Sequence, residues 1–526
     1  MAAGLFEWAL VVVFDPSTKA ALAPQAAAVA PFAVFHDLRW IAVGHDSWPT
    51  FVLETTGMLF GRGALAALSV RLAWPAGRPR PSGARLLWRG VASTALAAVL
   101  LIPSASLLFG LAVVPVSWLF IAAVPLAVLV ALVVHPVAVS SRWWRHTVPV
   151  RALGWMLASF LALTAAGAAV AAWPDWAGAL VVTAAGVFNA LAWVGVVHAV
   201  VDREPWRVPV PVVPVALAGL VVLVIGGATL GFVHARPPLG SGGHGPSGGP
   251  GQPVLVVSGY GSTFDGGPTK VLPGDFLERR FSYRGLAPDG TPLPYRSADT
   301  VKSLGTLDRM MAEQTRALAA SSGRPVDVVA ESEGALVAKT ALLAHPDLPV
   351  QALVMASPLL APGRTTYPQA GAPGWGVATG AVMNLIGRAF QSVSPVDLSP
   401  NSTFVASVDE RAPVLRDAMS CPLTGVRQLA LLALADATVT PPEAGQGLEK
   451  VVIASFHGGQ LSDPGNGRLV AQFLHGQPVR GARFLSGAYR AITLASAAWQ
   501  VPGGPGTPTP ESCGTAARVL AAASGN

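Results

Sequence analysis

Hydrophobic residues form long uninterrupted runs in the first half of the chain and short runs in the second half. A membrane-spanning helix needs about 20 mostly apolar residues. Four stretches of the first half meet this requirement: residues 90–134, 152–174, 176–197 and 208–233. The first stretch is long enough for two spans joined by a tight turn at 109–115, so the pattern predicts five membrane spans in an all-α domain.

Residues 51–74 form a candidate sixth span, which contains Glu54 and Arg62. Charged side chains inside a membrane are costly and can mark a function. We therefore favour an interfacial or partly buried helix here. The apolar residues 6–14 are too few to span a membrane, and no basic residues of a signal peptide precede them.

Basic residues between the apolar runs predict the orientation of the spans, because short cytoplasmic loops collect Lys and Arg. If each pair of spans is a hairpin, three basic loops lie on one side: Arg78, Arg80, Arg85 and Arg89; Arg142, Arg145 and Arg151; Arg203 and Arg207. The two turns on the other side carry neither Lys nor Arg. The fifth span then leaves the cytoplasm, so the sequence predicts an integral protein of the cytoplasmic membrane whose second half lies on the extracytoplasmic side.

The second half begins after a segment rich in Gly, Pro and Ser, which is typical of a flexible linker. Strand-like and helix-like runs then alternate, which predicts an α/β domain with a mainly parallel sheet. The predicted organisation is an N-terminal region at 1–90, membrane helices at 91–235, the linker at 236–252 and the α/β domain at 253–526.

The composition supports a membrane protein, with 52% hydrophobic and only 12% charged residues. The isoelectric point near 9.8 raises the question of nucleic-acid binding. However, the arginines lie in short groups between apolar runs and form no basic face, so we predict no nucleic-acid partner. The sequence contains no Cys-x-x-Cys motif and no His-rich cluster, so we predict neither a metal nor an organic cofactor.

The segment Ala-Glu-Ser-Glu-Gly places Ser332 where a buried strand turns into a helix. A serine hydroxyl acts as a nucleophile when it is exposed to substrate and paired with a base, and a tight strand-to-helix turn gives the exposure. Small residues two before and two after the serine, here Ala330 and Gly334, let strand and helix come close. The segment resembles the Gly-x-Ser-x-Gly elbow of the α/β-hydrolase family, except that alanine replaces the first glycine.

The resemblance extends over residues 253–477 and implies a Ser-His-Asp triad in the chain order serine, acid, histidine. Asp436 follows a long apolar strand in "ADATVTP", and His457 follows another strand 21 residues later. The histidine would accept the serine proton, and the carboxylate would orient and stabilise the imidazole.

Other residues compete for these two roles. Asp409 is an alternative acid but follows no comparable strand. His345 and His475 are alternative bases, although both lie near predicted helix ends, where surface capping is the expected role. Asp463 follows His457 too closely to be the acid and is expected to form a turn.

The family resemblance also implies an oxyanion hole. One donor is the backbone N–H of Glu333, and the second is the N–H of Tyr260 or Gly261 in "SGYGSTFDGG", where Ser258 stands in place of a frequent histidine. A dinucleotide site at this loop is excluded, because Phe264 occupies the position of the third glycine.

Two features near the predicted site have alternative interpretations. Glu331 and Glu333 could repel anionic substrates or tune His457, but we favour ordinary polar residues at a helix N-terminus. Residues 361–401 form an insertion with an apolar helical segment, which is either a cap over the site or a surface helix packed on the sheet. Cys421 and Cys513 both fall in the half assigned to an oxidising compartment, so we predict a disulfide.

Taken together, these features predict a membrane-tethered serine hydrolase that cleaves carboxylic esters of lipids or envelope components. An acyltransferase would use the same triad. A transporter or signalling protein with a non-catalytic outer domain is the alternative from another class, and it requires paired charges among the membrane helices. The five predicted spans carry none, which favours a membrane anchor.

Overall fold

The computed structural model describes residues 32–45, 47–110, 149–172, 175–202, 251–273, 276–358, 376–391, 402–434, 448–455, 460–497 and 509–525. Several predictions lie outside these residues: the second span within 90–134, the span at 208–233, most of the linker, Asp436 and His457.

The N-terminal half contains helices α1 (Phe32–Gly44), α2 (Trp48–Leu72), α3 (Gly83–Gly110), α4 (Val150–Ala172) and α5 (Asp175–Val201). Within the described residues, four of them hold a stretch long and apolar enough to cross a membrane: Trp48–Leu72, Gly83–Ile102, Val150–Val170 and Gly178–Val201. Three of these stretches match predicted spans. The candidate sixth span corresponds to α2, which meets the same length and composition criteria as the other three.

Large apolar side chains cover the outer surface of these helices. Leu53, Leu72 and Val99 are 73%, 78% and 67% exposed. An apolar surface of this kind is unfavourable in water and favourable in lipid. The outer surface therefore fits a membrane environment.

The helices approach one another through small residues and polar contacts. A Cβ atom on Gly90 of α3 would lie 2.1 Å from the carbonyl oxygen of Gly63 in α2, so only glycine allows this approach. Between α4 and α5, the Ser159 hydroxyl donates to the Asn189 side-chain oxygen over 2.5 Å. These contacts form the helical hairpins α2–α3 and α4–α5.

An ion pair joins α1 to α2. The Nε and Nη2 atoms of Arg62 donate to the two carboxylate oxygens of Asp37, each over 2.6 Å. This two-point geometry is the strong form of an Arg–carboxylate contact. The paired charge that a transport function requires is therefore present on α1 and α2, outside the five spans predicted from the sequence. Its structural role is to hold α1 on α2.

The second half contains six strands: β1 (Gln252–Val257), β2 (Phe276–Arg280), β3 (Val326–Glu331), β4 (Val350–Ala356), β5 (Arg427–Ala433) and β6 (Leu448–Ile453). All are parallel, in the order β2-β1-β3-β4-β5-β6. The predicted parallel α/β sheet is confirmed. β2 pairs with one side of β1, whereas β3 and the later strands extend the sheet from the other side of β1. The strand order therefore reverses direction between β1 and β3, which is the topological switch point.

Side chains of the central strands alternate between two buried faces, as the two-residue period of a strand requires. Val254 and Val256 of β1 enter one apolar cluster, and Leu255 and Val257 enter the other. The helices of this half are α6 (Leu304–Ser322), α7 (Glu333–Ala344), α8 (Val377–Gln391), α9 (Thr403–Glu410), α10 (Ala412–Ser420), α11 (Pro464–Leu474), α12 (Arg483–Ala497) and α13 (Pro510–Ala523), with 3₁₀ turns at Ser297–Thr300 and Gln460–Ser462.

The predicted disulfide between Cys421 and Cys513 is present. Cys421 directly follows α10 and Cys513 lies in α13, and both helices pack against α7, the helix that follows Ser332. Lys339 of α7 is buried below the bridge, and its Nζ atom donates to the carbonyl oxygen of Cys421 over 2.5 Å. The disulfide therefore links the two helices, α10 and α13, that pack against α7, the helix after the predicted nucleophile.

Removing this bridge is expected to destabilise the α/β domain. The two cysteines are 92 residues apart, and opening a loop of that size costs about 4 kcal/mol of unfolding free energy. Mass spectrometry after alkylation should detect no adducts without reductant and two after reduction, with a lower melting temperature. A Cys421→Ser/Cys513→Ser variant is the control, since its melting temperature should not respond to reductant. Two alkylated thiols in the untreated protein would contradict the bridge.

A buried carboxyl group between α6 and α7 makes stability depend on pH. Asp308 is fully buried, where it accepts a hydrogen bond from the Thr340 hydroxyl over 2.6 Å, and burial raises its pKa to about 8. The folded chain thus keeps a proton that the unfolded chain releases between the usual pKa of 3.8 and about 8. Stability from this group is complete below the lower value and declines as the pH rises through that window.

Asp308→Asn should therefore reduce the loss of stability with rising pH. Over the full window the shift corresponds to at most about 6 kcal/mol. The measurement is the melting temperature of the full chain in detergent at pH 5 and pH 8. Asp265→Asn, at an exposed position of the loop after β1, should keep the wild-type difference between the two pH values. An equal difference in wild type and Asp308→Asn would refute this assignment.

Candidate active site

Ser332 occupies a sharp turn between β3 and α7 with φ of 55° and ψ of −119°. Among the described non-glycine residues, only Ser332 and Ser357 have positive φ. Such a backbone conformation costs about 1–3 kcal/mol and persists only where surrounding contacts impose it. The strand-to-helix turn predicted for Ser332 is therefore present, and it is strained.

Hydrogen bonds on both sides impose this conformation. The Ser332 N–H donates to the carbonyl oxygen of Ala356, at the end of β4, over 2.9 Å. The Ser332 carbonyl accepts from the N–H groups of Ala335 and Leu336 in the first turn of α7. The serine backbone is thus held by the sheet before it and by the helix after it.

The small residues around Ser332 have the expected packing role. A Cβ atom on Gly334 would lie 2.8 Å from the carbonyl oxygens of both Val257 and Ser258, so a larger residue would push α7 away from β1. Ala330 is completely buried in β3, where it pairs with Val257 of β1 and with Met355 of β4. Both positions agree with the sequence prediction.

The loop after β1 lies directly against the predicted nucleophile. A Cβ atom on Gly259 would be 2.9 Å from the Ser332 Cβ and 3.4 Å from its Oγ. The N–H of Gly261 donates to the Thr300 hydroxyl over 3.0 Å, so this group is already engaged. The ring of Tyr260, the other predicted donor, packs against Phe404, with centroids 5.3 Å apart.

Glu333 is buried rather than solvated, although it occupies the first turn of α7. Its Oε2 atom lies 3.3 Å from the Tyr283 hydroxyl, which donates to the Ser258 carbonyl over 2.5 Å. Burial raises the pKa of Glu333 well above its usual range, which favours the neutral form of its side chain. A buried carboxyl group of this kind does not support the repulsion of anionic substrates by Glu333.

Glu331 has a role that the sequence prediction missed. Its Oε1 atom accepts a hydrogen bond from the backbone N–H of Gln460 over 2.8 Å. The Gln460 side chain in turn donates to the Ser357 hydroxyl, and all three residues are buried. Glu331, directly before the predicted nucleophile, is thus hydrogen-bonded to the segment after β6. The preference for an ordinary helix-terminal residue was wrong for Glu331.

Asp436 and His457 lie outside the described residues, but the strands expected before them are present. β5 ends at Ala433 and β6 ends at Ile453. The carboxyl ends of parallel strands share one edge of the sheet, so both strands end at the same edge as β3.

The competing histidines lie at the opposite edge of the sheet. His345 caps the C-terminus of α7 before β4 begins, and it is buried rather than at the surface. The His475 ring follows α11 and lies 5.1 Å from the ring of Phe276, the first residue of β2. Neither histidine is near Ser332. Asp463 caps the N-terminus of α11, and Asp409 lies in α9 after no strand, as the sequence indicated.

Comparisons of the chain with models of protein families, with curated proteins and with solved structures find no match. Among the described residues, no group of His, Cys, Asp and Glu could hold a metal ion. The functional assignment therefore rests on the residues, the turn and the sheet order described above.

Proposed function

We propose that the chain is a membrane-tethered serine hydrolase that cleaves carboxylic esters, with Ser332 as nucleophile, His457 as general base and Asp436 as the acid that orients the histidine. The observation that carries the proposal is the strained Ser332 at the carboxyl end of β3. It lies at the switch point between β1 and β3, where open α/β sheets bind their ligands.

The contact between Glu331 and Gln460 supports His457 as the base. β6 lies three strands away from β3, which is about 14 Å at the usual strand spacing. The segment after β6 nevertheless returns to Glu331 at Gln460. Gln460 follows His457 by three residues, and three residues span at most about 11 Å. Gln460 therefore lies beside the turn at Ser332, which supports a base only three residues earlier in the chain.

The reaction follows from these roles. The Ser332 Oγ attacks the ester carbonyl carbon while its proton passes to His457, and the carbonyl oxygen takes up the negative charge. As the tetrahedral intermediate collapses, the C–O bond of the ester breaks and His457 gives the proton to the departing alcohol. Water then attacks the acyl-enzyme and transfers one proton to His457, the carboxylic acid leaves, and Ser332 regains the proton.

The backbone N–H groups of Glu333 and Tyr260 are the proposed donors to the oxyanion. The first four N–H groups of a helix have no acceptor within the helix, and Glu333 is the first residue of α7. Such fixed donors typically accelerate a reaction 100-fold to 1,000-fold, which corresponds to roughly 3 kcal/mol.

The proposal also includes the site's location on the extracytoplasmic side of the cytoplasmic membrane and lipid or envelope esters as substrates. The Arg78 side chain contacts Asp202 over 3.2 Å, which places the loop after α2 and the end of α5 at one end of the helices. This agreement with the predicted basic side supports the hairpin topology.

A fluorophosphonate probe tests the proposal, since it labels activated serines covalently. The full chain should be labelled, peptide mapping should place the adduct on Ser332, and Ser332→Ala should not be labelled. Ser321→Ala, at the exposed end of α6, is the control and should label like the wild type. A folded wild-type chain that takes up no probe would overturn the proposal.

A further inference from the structure

The insertion after β4 begins and ends at the sheet edge that carries Ser332. It departs after Ser357, at the carboxyl end of β4, and returns at α9, whose Phe404 packs against Tyr260. The helix described within the insertion is α8, and it packs against α1, α2 and α3. The sequence left open a cap over the site and a surface helix packed on the sheet; in the structure α8 packs against the N-terminal helices.

His45 makes the specific contact between α8 and the N-terminal helices. Its Nε2 atom accepts a hydrogen bond from the N–H of Ala378, in the first turn of α8, over 3.0 Å. Its Nδ1 atom lies 2.5 Å from the carbonyl oxygen of Ile41, to which it donates. The ring is completely buried. A neutral imidazole with the proton on Nδ1 satisfies both contacts.

The residue before α8 leaves space for the His45 ring. A Cβ atom on Gly376, just before α8, would lie 1.9 Å from the Cε1 of His45, so no other residue fits there without displacement. On the other side, His45 directly follows α1, which the Arg62–Asp37 ion pair holds on α2. Both partners of the hydrogen bond are thus fixed by their own surroundings.

The contact lies at a defined end of the membrane helices. His45 precedes α2, and Arg78 follows it. Because α2 has 25 residues, these two positions are separated by about 37 Å along the helix. The contact therefore lies at the end of the helices opposite the basic loop.

From these contacts we propose that α8, docked on the N-terminal helices through His45, turns the Ser332 edge toward the bilayer surface, so that the site takes acyl esters of lipids resident in that bilayer. This inference rests on the proposed hydrolase function. It assigns the N-terminal helices a part in substrate delivery beyond anchoring.

The test compares two substrates of the full chain reconstituted in bilayers: 1-palmitoyl-2-oleoyl phosphatidylglycerol in the bilayer and soluble p-nitrophenyl acetate. His45→Leu removes the acceptor for Ala378, and Gly376→Ala forces the ring away. Either variant should release fatty acid from the lipid about tenfold more slowly, because a buried N–H loses its partner and α8 undocks. Hydrolysis of p-nitrophenyl acetate should stay within about twofold, since the sheet edge itself is unchanged.

Two control variants and a structural measurement complete the test. His45→Gln keeps an acceptor for Ala378, and Gly57→Ala adds a methyl group where no atom lies within 4 Å; both should retain lipid hydrolysis. Hydrogen exchange of α8 should accelerate in His45→Leu and Gly376→Ala only. Three results would each overturn the inference. The variants could lose activity equally on both substrates, or a variant with an undocked α8 could hydrolyse the lipid at the wild-type rate. The third is a wild-type chain that is inactive on the lipid but active on p-nitrophenyl acetate. Absence of probe labelling at Ser332 would instead refute the hydrolase, while hydrogen exchange would still report the docking.

Discussion

Ser332→Gly is expected to abolish ester hydrolysis and at the same time to stabilise the fold. Loss of the nucleophile should lower kcat by at least about 1,000-fold. Glycine adopts φ near 55° without the cost of about 1–3 kcal/mol that serine bears there, although its greater freedom in the unfolded chain offsets about 0.5–1 kcal/mol. A net gain of about 1 kcal/mol corresponds to a rise of about 2–4 °C in melting temperature.

Ser332→Ala is the matched comparison, because alanine loses the same hydroxyl but is disfavoured at the same φ. We expect it to be inactive with a melting temperature close to that of the wild type. Thermal unfolding of the two variants in one detergent measures the difference. Identical melting temperatures for Ser332→Gly and Ser332→Ala would show that the turn stores no strain.

Glu331→Ala is expected to lower kcat by about 100-fold with little change in KM. The variant leaves the buried N–H of Gln460 without its acceptor, at a cost of about 1–3 kcal/mol, and releases the segment that follows His457. Glu331 lies one residue before the proposed nucleophile and acts through Gln460, so it is a positioning residue. Steady-state kinetics on a soluble ester give kcat and KM separately.

Glu331→Gln should recover most of the activity, to within about tenfold of the wild type, because an amide oxygen still accepts the hydrogen bond. Glu313→Ala removes an exposed carboxylate from α6 and should have no effect. If Glu331→Ala and Glu331→Gln lose activity equally, charge rather than hydrogen bonding would be the property that matters.

Local patterns in the sequence predicted the elements that depend on nearby residues. Apolar run length located three of the four described helices that are long and apolar enough to cross a membrane, since a membrane requires a minimum length of apolar chain. Alternation of strands and helices gave the parallel sheet. The spacing of small residues around Ser332 identified the turn, because the close approach of strand and helix is a local requirement.

The contacts that join distant parts of the chain could not be predicted in this way. Glu331 and Gln460 are 129 residues apart, and His45 and Ala378 are 333 residues apart. Nothing in the residues near Glu331 distinguishes a buried acceptor from a solvated helix-terminal glutamate; the difference arises from which segment covers it. The same holds for Glu333, whose raised pKa follows from burial rather than from its neighbours in sequence.

The disulfide also determines when the domain becomes complete during biosynthesis. When Cys421 is synthesised, its partner is still 92 residues away in the chain. The helix α13 can pack against α7 only after Cys513 and its neighbours have been made. Until Cys513 has been synthesised and paired with Cys421, no covalent bond holds α13 against α7.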